Sequence, residues 1–507
     1  MRGRTTIQWI VSLGIFGAPF AQASDITFED VIARAEALAE APFEAPEATL
    51  PEPLQNLSYD TYRQIRFDPE RAYWRDESPF SLQLFHSGFL FPHPIKLNVI
   101  DGGEVEPIRF DTDDYTYEGA ARELLDHDLS GSGHAGFRLH YPLNSDEYHD
   151  EVAVFLGSNY FRLVGQGQVY GLSTRGVAIH TALAEEEEFP EFREFWFFKP
   201  DEDATAITFL ALLDGPSLSG AYRFTLTPGE QTRMDVEVAL FAREDIDKLG
   251  IAPLTSMFTF GEATPSPPED FRPQVHDSDG LLMHTGAGEW IWRPLDNPEQ
   301  LHLSLFSDED PAGFGLMQRE RDFSHYLDME AQYHRRPSQW VEPQEEWGAG
   351  HVELVEIATP DETHDNIVAY WVSDTRLNAG ESQRFHYSTY TLNGTPQEHD
   401  LARVIRTRQG QAGIAGNAEA PGQHERQFIV DFSGGELDAL SSEADVQLYL
   451  ETSSGDVREP HVLALPDRQW RASFRVPADK MTDIRLRLEL DDQPISETWN
   501  YVWYPDA

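Results

Sequence analysis

Apolar and polar residues alternate with a period of two along much of this chain, which is typical of strands with one buried face. The strictest run is 484–490 (IRLRLEL), and shorter runs occur at 234–240, 80–85 and 207–209. Glycine and proline interrupt these runs at short intervals, as turns between strands do. Long amphipathic helical patterns are lacking. Between residues 59 and 390 the pattern therefore predicts a large antiparallel β-sandwich.

One helix is predicted ahead of the strands. Thr27 is a suitable N-cap residue, with Asp30 at the third helical position. The apolar positions after Thr27 recur at helical spacing, and they are Phe28, Val31, Ile32, Ala35 and Leu38. A proline-rich stretch at 42–54 ends the helix, and we expect the apolar stripe to pack on the main domain.

The apolar pattern fades between residues 392 and 423, where glycines cluster. We place a domain boundary near residue 396, so the main domain is predicted to span 24–396 and a second unit 397–507. Within the second unit, strands are predicted at 427–432, 446–450, 469–476, 484–490 and 498–503. About 100 residues with several such strands predict an immunoglobulin-like sandwich. The whole mature chain is thus expected to be all-β.

The first 23 residues have the features of a cleavable export signal. Arg2 and Arg4 precede an apolar stretch at 7–20, and Ala21-Gln22-Ala23 supplies a small-x-small cleavage site. The apolar stretch is shorter than the roughly 20 residues that a spanning helix needs. We predict a Sec-type signal peptide at 1–23, a periplasmic location and no direct membrane insertion.

Composition sets further limits on partners. Apolar residues make up 40% of the 507-residue chain and aromatic residues 12%, which is enough for a large core, and cysteine is absent. The net charge of −50 would repel nucleic acid and anionic lipid. Such an acidic surface suits a salty medium, where ions screen the self-repulsion. No nucleic-acid partner is expected, and the charge indicates habitat rather than chemistry.

Two short motifs look like known binding loops but lack the required context. The glycines of 165–171 are spaced G-x-G-x-x-x-G and lie outside any βαβ unit, so a turn is favoured over a nucleotide site. Residues 276–280 (HDSDG) lack the further acidic ligands of a calcium loop, which favours a polar turn. The histidines show no metal-ligand spacing. We predict neither a metal nor a cofactor.

Aromatic residues are dense between 290 and 347, and Trp290 and Trp292 open this stretch. Sugar rings stack their C–H faces on aromatic rings, so the density is compatible with a carbohydrate cleft. Core packing explains most aromatic residues of any β-protein, and that alternative stays open for each one. Glycoside hydrolysis needs two carboxyl groups. The sequence pattern alone does not choose a pair among so many acidic residues.

A resemblance to a known family supplies the functional assignment that the residue pattern alone does not give. Six stretches carry it: 60–65 (DTYRQI), 165–176 (GQGQVYGLSTRG), 249–260 (LGIAPLTSMFTF), 271–280 (FRPQVHDSDG), 288–294 (GEWIWRP) and 352–371 (VELVEIATPDETHDNIVAYW). Together they resemble the periplasmic glucan biosynthesis proteins G and D (OpgG/OpgD, also MdoG/MdoD) over nearly the whole mature chain. The Sec-type signal is closer to that of the G member.

The resemblance implies a large β-sandwich followed by a smaller immunoglobulin-like domain. It also implies binding of β-1,2-linked glucan, with or without β-1,6 branches, and in some members hydrolysis with inversion at the anomeric carbon. A membrane glucan synthase is an expected partner in this biosynthetic pathway. The expected enzyme type is an inverting endo-β-1,2-glucanase.

The resemblance also assigns residues. The aspartate of the H-D-S-x-G turn is Asp277, implied to be the general base, and the aspartate before N-I-V-A-Y-W is Asp365, implied to be the general acid. Tyr333, in a Y-x-x-R-P segment, and Glu362, just before Asp365, are expected in the cleft. Arg321 is expected to contact sugar hydroxyls, with ion pairing on the acidic surface as its alternative.

Three functions remain open at this stage. The chain is either a β-1,2-glucanase that trims the glucan backbone, a glucan-binding factor without turnover, or a purely structural envelope protein. The presence of both Asp277 and Asp365 favours hydrolysis. The sequence does not reveal chain-length preference, branching role or oligomeric state.

Overall fold

The computed structural model describes residues 26–46, 50–184, 186–264, 266–396, 399–411 and 424–505. The predicted signal peptide at 1–23 lies outside these ranges. Within them, none of the helices combines the length and the hydropathy that crossing a bilayer demands. Strands dominate, and the predicted all-β class is confirmed.

The N-terminal helix Phe28–Ala39 begins as its sequence predicts. Thr27 Oγ1 accepts the backbone N–H of Asp30 at 3.3 Å, and Asp30 Oδ2 accepts that of Thr27 at 2.8 Å. This reciprocal capping box satisfies two N–H groups that a helix start leaves unpaired. The buried stripe packs on apolar residues of the larger sheet, including Trp196 and Leu210, so the helix covers the outer face of the main domain.

The remaining helices are short, and the longest of them spans eight residues. The α-helical ones are Glu52–Gln55 and Tyr59–Tyr62. The 3₁₀ segments are Pro69–Arg71, Thr112–Asp114, Gly119–Asp126, Phe323–His325, Tyr333–Arg335, Gly435–Ala439 and Pro466–Arg468.

Two large sheets form the main sandwich. In spatial order, the 10-stranded sheet contains Ser81–His86, His134–Tyr141, Asp150–Leu156, Tyr160–Leu163, Ser173–Arg175, Leu249–Ser256, Ile367–Ser373, Ala349–Glu356 and His302–Glu309, with Val177–Ile179 paired beside Leu249–Ser256. The 15-stranded sheet contains Gln447–Thr452, Thr482–Leu490, Thr498–Trp503, Trp290–Pro294, Gly280–His284, Gly313–Met317, Ser338–Pro343, Ser382–Leu392, Arg233–Ala242, Leu218–Thr227, Ile207–Asp214, Glu191–Phe198, Lys96–Asp101 and Glu104–Pro107, with Gln493–Pro494 paired beside Thr482–Leu490.

Phenylalanine rings from both sheets meet between them. Phe137 of the 10-stranded sheet lies edge-on to Phe195 of the other sheet, with centroids 4.9 Å apart, and Phe155 meets Phe209 in the same way at 5.4 Å. These rings belong to the largest hydrophobic core. Period-two alternation sends one face of each strand into this core, which is why the pattern predicts the sandwich correctly.

The C-terminal unit is a second, smaller sandwich. Its four-stranded sheet contains Arg403–Gln411, Glu425–Ser433, Trp470–Pro477 and Arg458–Ala464. It packs on the C-terminal strands of the 15-stranded sheet, around residues such as Phe428, Leu486 and Trp499. One of these strands, Thr498–Trp503, runs parallel to Trp290–Pro294 and joins the unit to the main sheet.

Two small antiparallel sheets of two strands each complete the fold, and they pair Ile65–Phe67 with Tyr115–Tyr117 and Phe258–Phe260 with Val275–His276. The second of these sheets lies directly before Asp277 and beside two loops that leave the strands at one end of the sandwich. These loops span 318–337 and 357–366. They carry several of the residues that the sequence singles out.

Candidate functional site

The turn that carries Asp277 is fixed on both sides of the aspartate. Its backbone N–H donates to the carbonyl of Met257 at 2.8 Å. The ring of His276 stacks on Phe258, while its two nitrogens contact the side-chain oxygens of Gln318 and Gln274 at 2.8 Å. Burial lowers the pKa of His276 to about 4 and keeps the ring neutral. The 276–280 segment is therefore a rigid, buried turn.

Close packing requires a glycine at position 280, at the end of this turn. A Cβ atom there would lie 2.1 Å from the ring of Trp292, so only glycine fits without displacing the tryptophan. The close contact joins the turn to the strand Trp290–Pro294.

Asp277 is buried, with 4% of its surface exposed, and forms an ion pair with Arg336. Burial raises the pKa of Asp277 to about 6, although Arg336 and Arg162 lower it, and the charge of Asp365 raises it further. The carboxyl is therefore ionised above about pH 6, and it is sensitive to the charges around it.

Asp365 stands at the end of the 357–366 loop, next to the strand Ile367–Ser373. The neighbouring Asn366 holds the loop in place: its Oδ1 accepts the N–H of Phe258 at 2.8 Å, and its Nδ2 donates to the carbonyls of Phe258 and Ile357 at 3.0 Å. Asp365 itself is exposed at the protein surface. Partial desolvation of its carboxyl by the surrounding protein raises its pKa, and Arg162, Arg175 and Arg336 lower it.

The two carboxyls share one electrostatic environment. Arg336 and Arg162 act on both of them, and the charge of Asp365 is felt at Asp277. The two aspartates thus act in one electrostatic environment although 88 residues separate them in the sequence.

Tyr333 and Glu362 join the same cluster. The guanidinium of Arg336 lies 4.4 Å from the centroid of the Tyr333 ring. Burial raises the pKa of Tyr333, and the charge of the nearby Glu362 raises it further. Glu362 in turn forms an ion pair with Arg272 at 2.7 Å. The hydroxyl therefore stays protonated and acts as a donor.

Arg321 has a different environment. It donates to the backbone carbonyls of Arg336, His334 and Leu392, and burial lowers its pKa. These contacts fix the end of the 318–337 loop, which carries Tyr333 and Arg336. Arg321 thus contacts the loop backbone, and its contact with sugar stays a prediction.

Trp290 and Trp292 lie in the second hydrophobic core, where both are buried. The ring of Trp290 stacks on His284 with centroids 4.2 Å apart, and Arg319 lies 3.7 Å above the ring of Trp292. Core packing accounts for both tryptophans, so their contact with sugar also stays a prediction.

Three arginines that act on the two aspartates were not predicted from the sequence: Arg336, Arg162 and Arg175. Arg336 is the arginine of the Y-x-x-R-P segment, and Arg175 lies in the stretch 165–176 that carries the resemblance. A Cβ atom on Gly171 of that stretch approaches Arg336 Cβ to 2.9 Å as built on the present backbone. The glycine therefore allows the loop to pack against the arginine. Arg162 lies outside the quoted motifs and gives no such signal.

A cavity of about 350 Å³ lies on the other side of the 276–280 turn, between the main domain and the strand Arg403–Gln411. Asp279 and Trp292 line it. Asp279 accepts the backbone N–H groups of Arg319 and Glu320 at 2.9 and 3.0 Å, and burial raises its pKa to about 6. Over the described ranges, no group of three or more histidines and carboxylates is arranged to hold a metal ion.

The chain is similar to known proteins over nearly its whole length. The family model described as "Periplasmic glucan biosynthesis protein, MdoG" matches residues 26–503. "Glucans biosynthesis protein G" of Ralstonia nicotianae is 44% identical over 505 residues, which is 98% of this chain and 99% of that protein. Among solved structures, a polysaccharide lyase matches with a TM-score of 0.17 and 9% identity, over 74% of this chain and 45% of that one. A TM-score this low carries no argument.

Proposed function

The chain belongs to the MdoG family of periplasmic glucan biosynthesis proteins, and we propose that it binds β-1,2-linked glucan in the periplasm and hydrolyses its backbone with inversion. The observation that carries the hydrolytic part is the coupled pair Asp277 and Asp365, which share Arg336 and Arg162 as neighbours. Two carboxyl groups with perturbed pKa values in one solvent-reaching site are what glycoside hydrolysis requires.

In the proposed mechanism, Asp365 is the general acid and Asp277 the general base. Asp365 gives its proton to the glycosidic oxygen as the bond to the anomeric carbon breaks. A water on the opposite face of the sugar attacks that carbon, and Asp277 takes the proton of this water. A bound glucan chain would displace water from Asp365 and raise its pKa further, which keeps the acid protonated.

The neighbours of the pair have distinct roles in this proposal. Arg336 stabilises the ionised form of Asp277, so that the base is ready above about pH 6. Tyr333 offers its protonated hydroxyl, and Glu362 orients that hydroxyl from the loop that carries the acid. A Sec-type signal at 1–23 would deliver the chain to the periplasm, where a membrane glucan synthase supplies the glucan.

Incubation with linear β-1,2-glucan tests the proposal. The purified chain is expected to release shorter oligosaccharides whose newly formed ends carry the inverted anomeric configuration, as seen by proton NMR. Asp365→Asn and Asp277→Asn each remove one carboxyl, and each should lower the rate at least about 10²-fold. Retained configuration, or full activity in either variant, would rule out this mechanism.

A glucan-binding factor without turnover is the second candidate. The observation in its favour is that Asp277 is 4% exposed and ion-paired to Arg336, which leaves little room for a water beside the carboxyl. In this case the chain would hold β-1,2-glucan and control its backbone length or β-1,6 branching. Tight binding of the linear glucan, with no shorter products after long incubation of the wild-type chain, would support this candidate.

A further inference from the structure

Arg272 ties three loops together at the edge of the candidate site. Its guanidinium binds Asp270 of its own loop in a bidentate manner, with Nε–Oδ1 at 3.0 Å and Nη2–Oδ2 at 2.7 Å. Nη1 reaches Asp328 of the 318–337 loop at 2.9 Å and Glu362 of the 357–366 loop at 2.7 Å. We call these four residues the Arg272 clamp.

Two acidic residues of the clamp, Asp270 and Asp328, also accept hydrogen bonds from the backbone of their own loops. Asp328 Oδ1 accepts the N–H groups of Glu330 at 2.9 Å and Ala331 at 2.7 Å. Asp270 Oδ1 accepts the N–H of Arg272 at 2.9 Å. A planar guanidinium with several carboxylate partners is held more firmly than an exposed pair of long side chains. The three loops are therefore preorganised with respect to one another.

Two large apolar side chains lie directly beside the clamp and have most of their surface in solvent. Phe271, next to Arg272, is 75% exposed, and Met329, next to Asp328, is 74% exposed. Because Arg272 bonds to Asp328, the two apolar residues are carried by neighbouring, mutually fixed loops. Two exposed apolar side chains on mutually fixed loops beside the candidate site indicate a binding surface.

The clamp is continuous with the candidate site. Glu362 is ion-paired to Arg272, its charge acts on the Tyr333 hydroxyl, and it stands three residues before Asp365. A chain that threads past Asp365 and Tyr333 would meet this edge next. The three acidic groups of the clamp are paired with Arg272, and Phe271 and Met329 are the large apolar side chains exposed beside them.

We propose that the Arg272 clamp presents Phe271 and Met329 as a glucan-binding lip, on which sugar rings beyond the cleaved linkage stack their C–H faces. Arg272 is a positioning residue in this proposal, because it acts by fixing the loops that carry the lip. The lip lengthens the binding surface and makes affinity depend on glucan chain length. The proposal rests on the proposed binding of glucan, but not on its hydrolysis.

Calorimetric titration with long linear β-1,2-glucan and with a short β-1,2-oligosaccharide tests the lip. Phe271→Ala and Met329→Ala are each expected to weaken binding of the long chain about fivefold to tenfold, with the short ligand unaffected. Met481→Ala is the matched control, because Met481 is 61% exposed on the C-terminal unit. It should bind both ligands as the wild type does.

Arg272→Gln should weaken binding of the long chain at least as much as loss of either apolar side chain. Hydrogen exchange should show faster exchange in the 318–337 and 357–366 loops of this variant, while the sandwich strands keep their protection. Wild-type affinity for the long chain in both Phe271→Ala and Met329→Ala would overturn the lip and leave the proposed function standing. Failure of the wild-type chain to bind either ligand would instead overturn the proposed function and the lip with it.

Discussion

Two buried carboxylates of this protein each face an arginine, yet their surroundings have opposite effects. Burial would raise the pKa of Glu497, but two nitrogens of Arg319 at 2.7 and 2.9 Å, His399 and the Val404 N–H at 3.0 Å lower it to about 2. Burial raises the pKa of Asp277 to about 6, although its ion-pair partner Arg336 lowers it, and the charge of Asp365 raises it further.

The difference separates a carboxylate that holds the structure together from one that is available for chemistry. Glu497 sits where the C-terminal unit meets the main domain, and its charge is fully compensated. The negative charge at Asp277 is compensated only in part, so the folded protein tolerates it at a cost in stability. Sites that do chemistry commonly keep such unfavourable groups. The following predictions test this contrast, starting with the largest expected effect.

Breaking the Glu497 pair should be the most damaging change. Arg319→Met leaves a buried carboxylate without its main partner, and we expect the free energy of unfolding to fall by about 3–5 kcal/mol. Urea denaturation followed by tryptophan fluorescence measures this loss. Arg71→Met is the control, because Arg71 is exposed and its pair with Asp114 should contribute far less to stability. Equal losses in both variants would contradict the contrast.

The Glu497 pair should also appear in the pH dependence of stability. Because its pKa falls from the usual 4.5 to about 2 on folding, its contribution is complete above pH 4.5 and is lost as the pH falls towards 2. The lost contribution is about 3 kcal/mol. Urea midpoints measured between pH 5 and 2.5 should fall less steeply for Glu497→Gln than for the wild type. If the urea midpoints of Glu497→Gln fall as steeply with pH as those of the wild type, the Glu497 pair does not cause the loss of stability in acid.

Asp277 should have the opposite effect on stability. Its pKa rises from 3.8 to about 6 on folding, so the unfolded chain releases this proton first and stability falls as the pH rises from 3.8 to 6. Asp277→Asn removes this penalty, and we expect it to raise the unfolding free energy at pH 7.5 by about 1–3 kcal/mol while lowering activity. A variant that is less stable than the wild type at pH 7.5 would contradict the assignment of Asp277 as a strained, functional group.

The contrast also shows what the sequence could and could not predict. Strands such as Thr482–Leu490 follow from strict alternation, because one face is buried along the whole strand. The capping box at Thr27 follows from local chemistry and was likewise predictable. Both are short-range signals, and short-range signals determine most of this fold.

The candidate site depends instead on contacts between distant segments. Asp277 meets Arg336 across 59 residues, and no spacing rule reports such a pair. Residue type is ambiguous as well: Trp290 and Trp292 are the kind of residue on which sugars stack, and both also pack in the second core. Phe271, which is far more exposed, sits in a quoted motif and gave no signal of its own, because exposure is a property of the folded chain.

The smallest predicted effect concerns the arginine that compensates Asp277 in part. Arg336→Gln removes the nearest positive charge, so the pKa of Asp277 should rise by about one pH unit from its present value near 6. Carbon-13 NMR of labelled aspartate measures this directly, and the acidic limb of the hydrolysis rate should move upwards by the same amount. Arg335→Gln is the matched control, because Arg335 is exposed and bonds to the Gly167 carbonyl. An equal shift in both variants would mean that overall charge, and not the Arg336 ion pair, sets the pKa of Asp277.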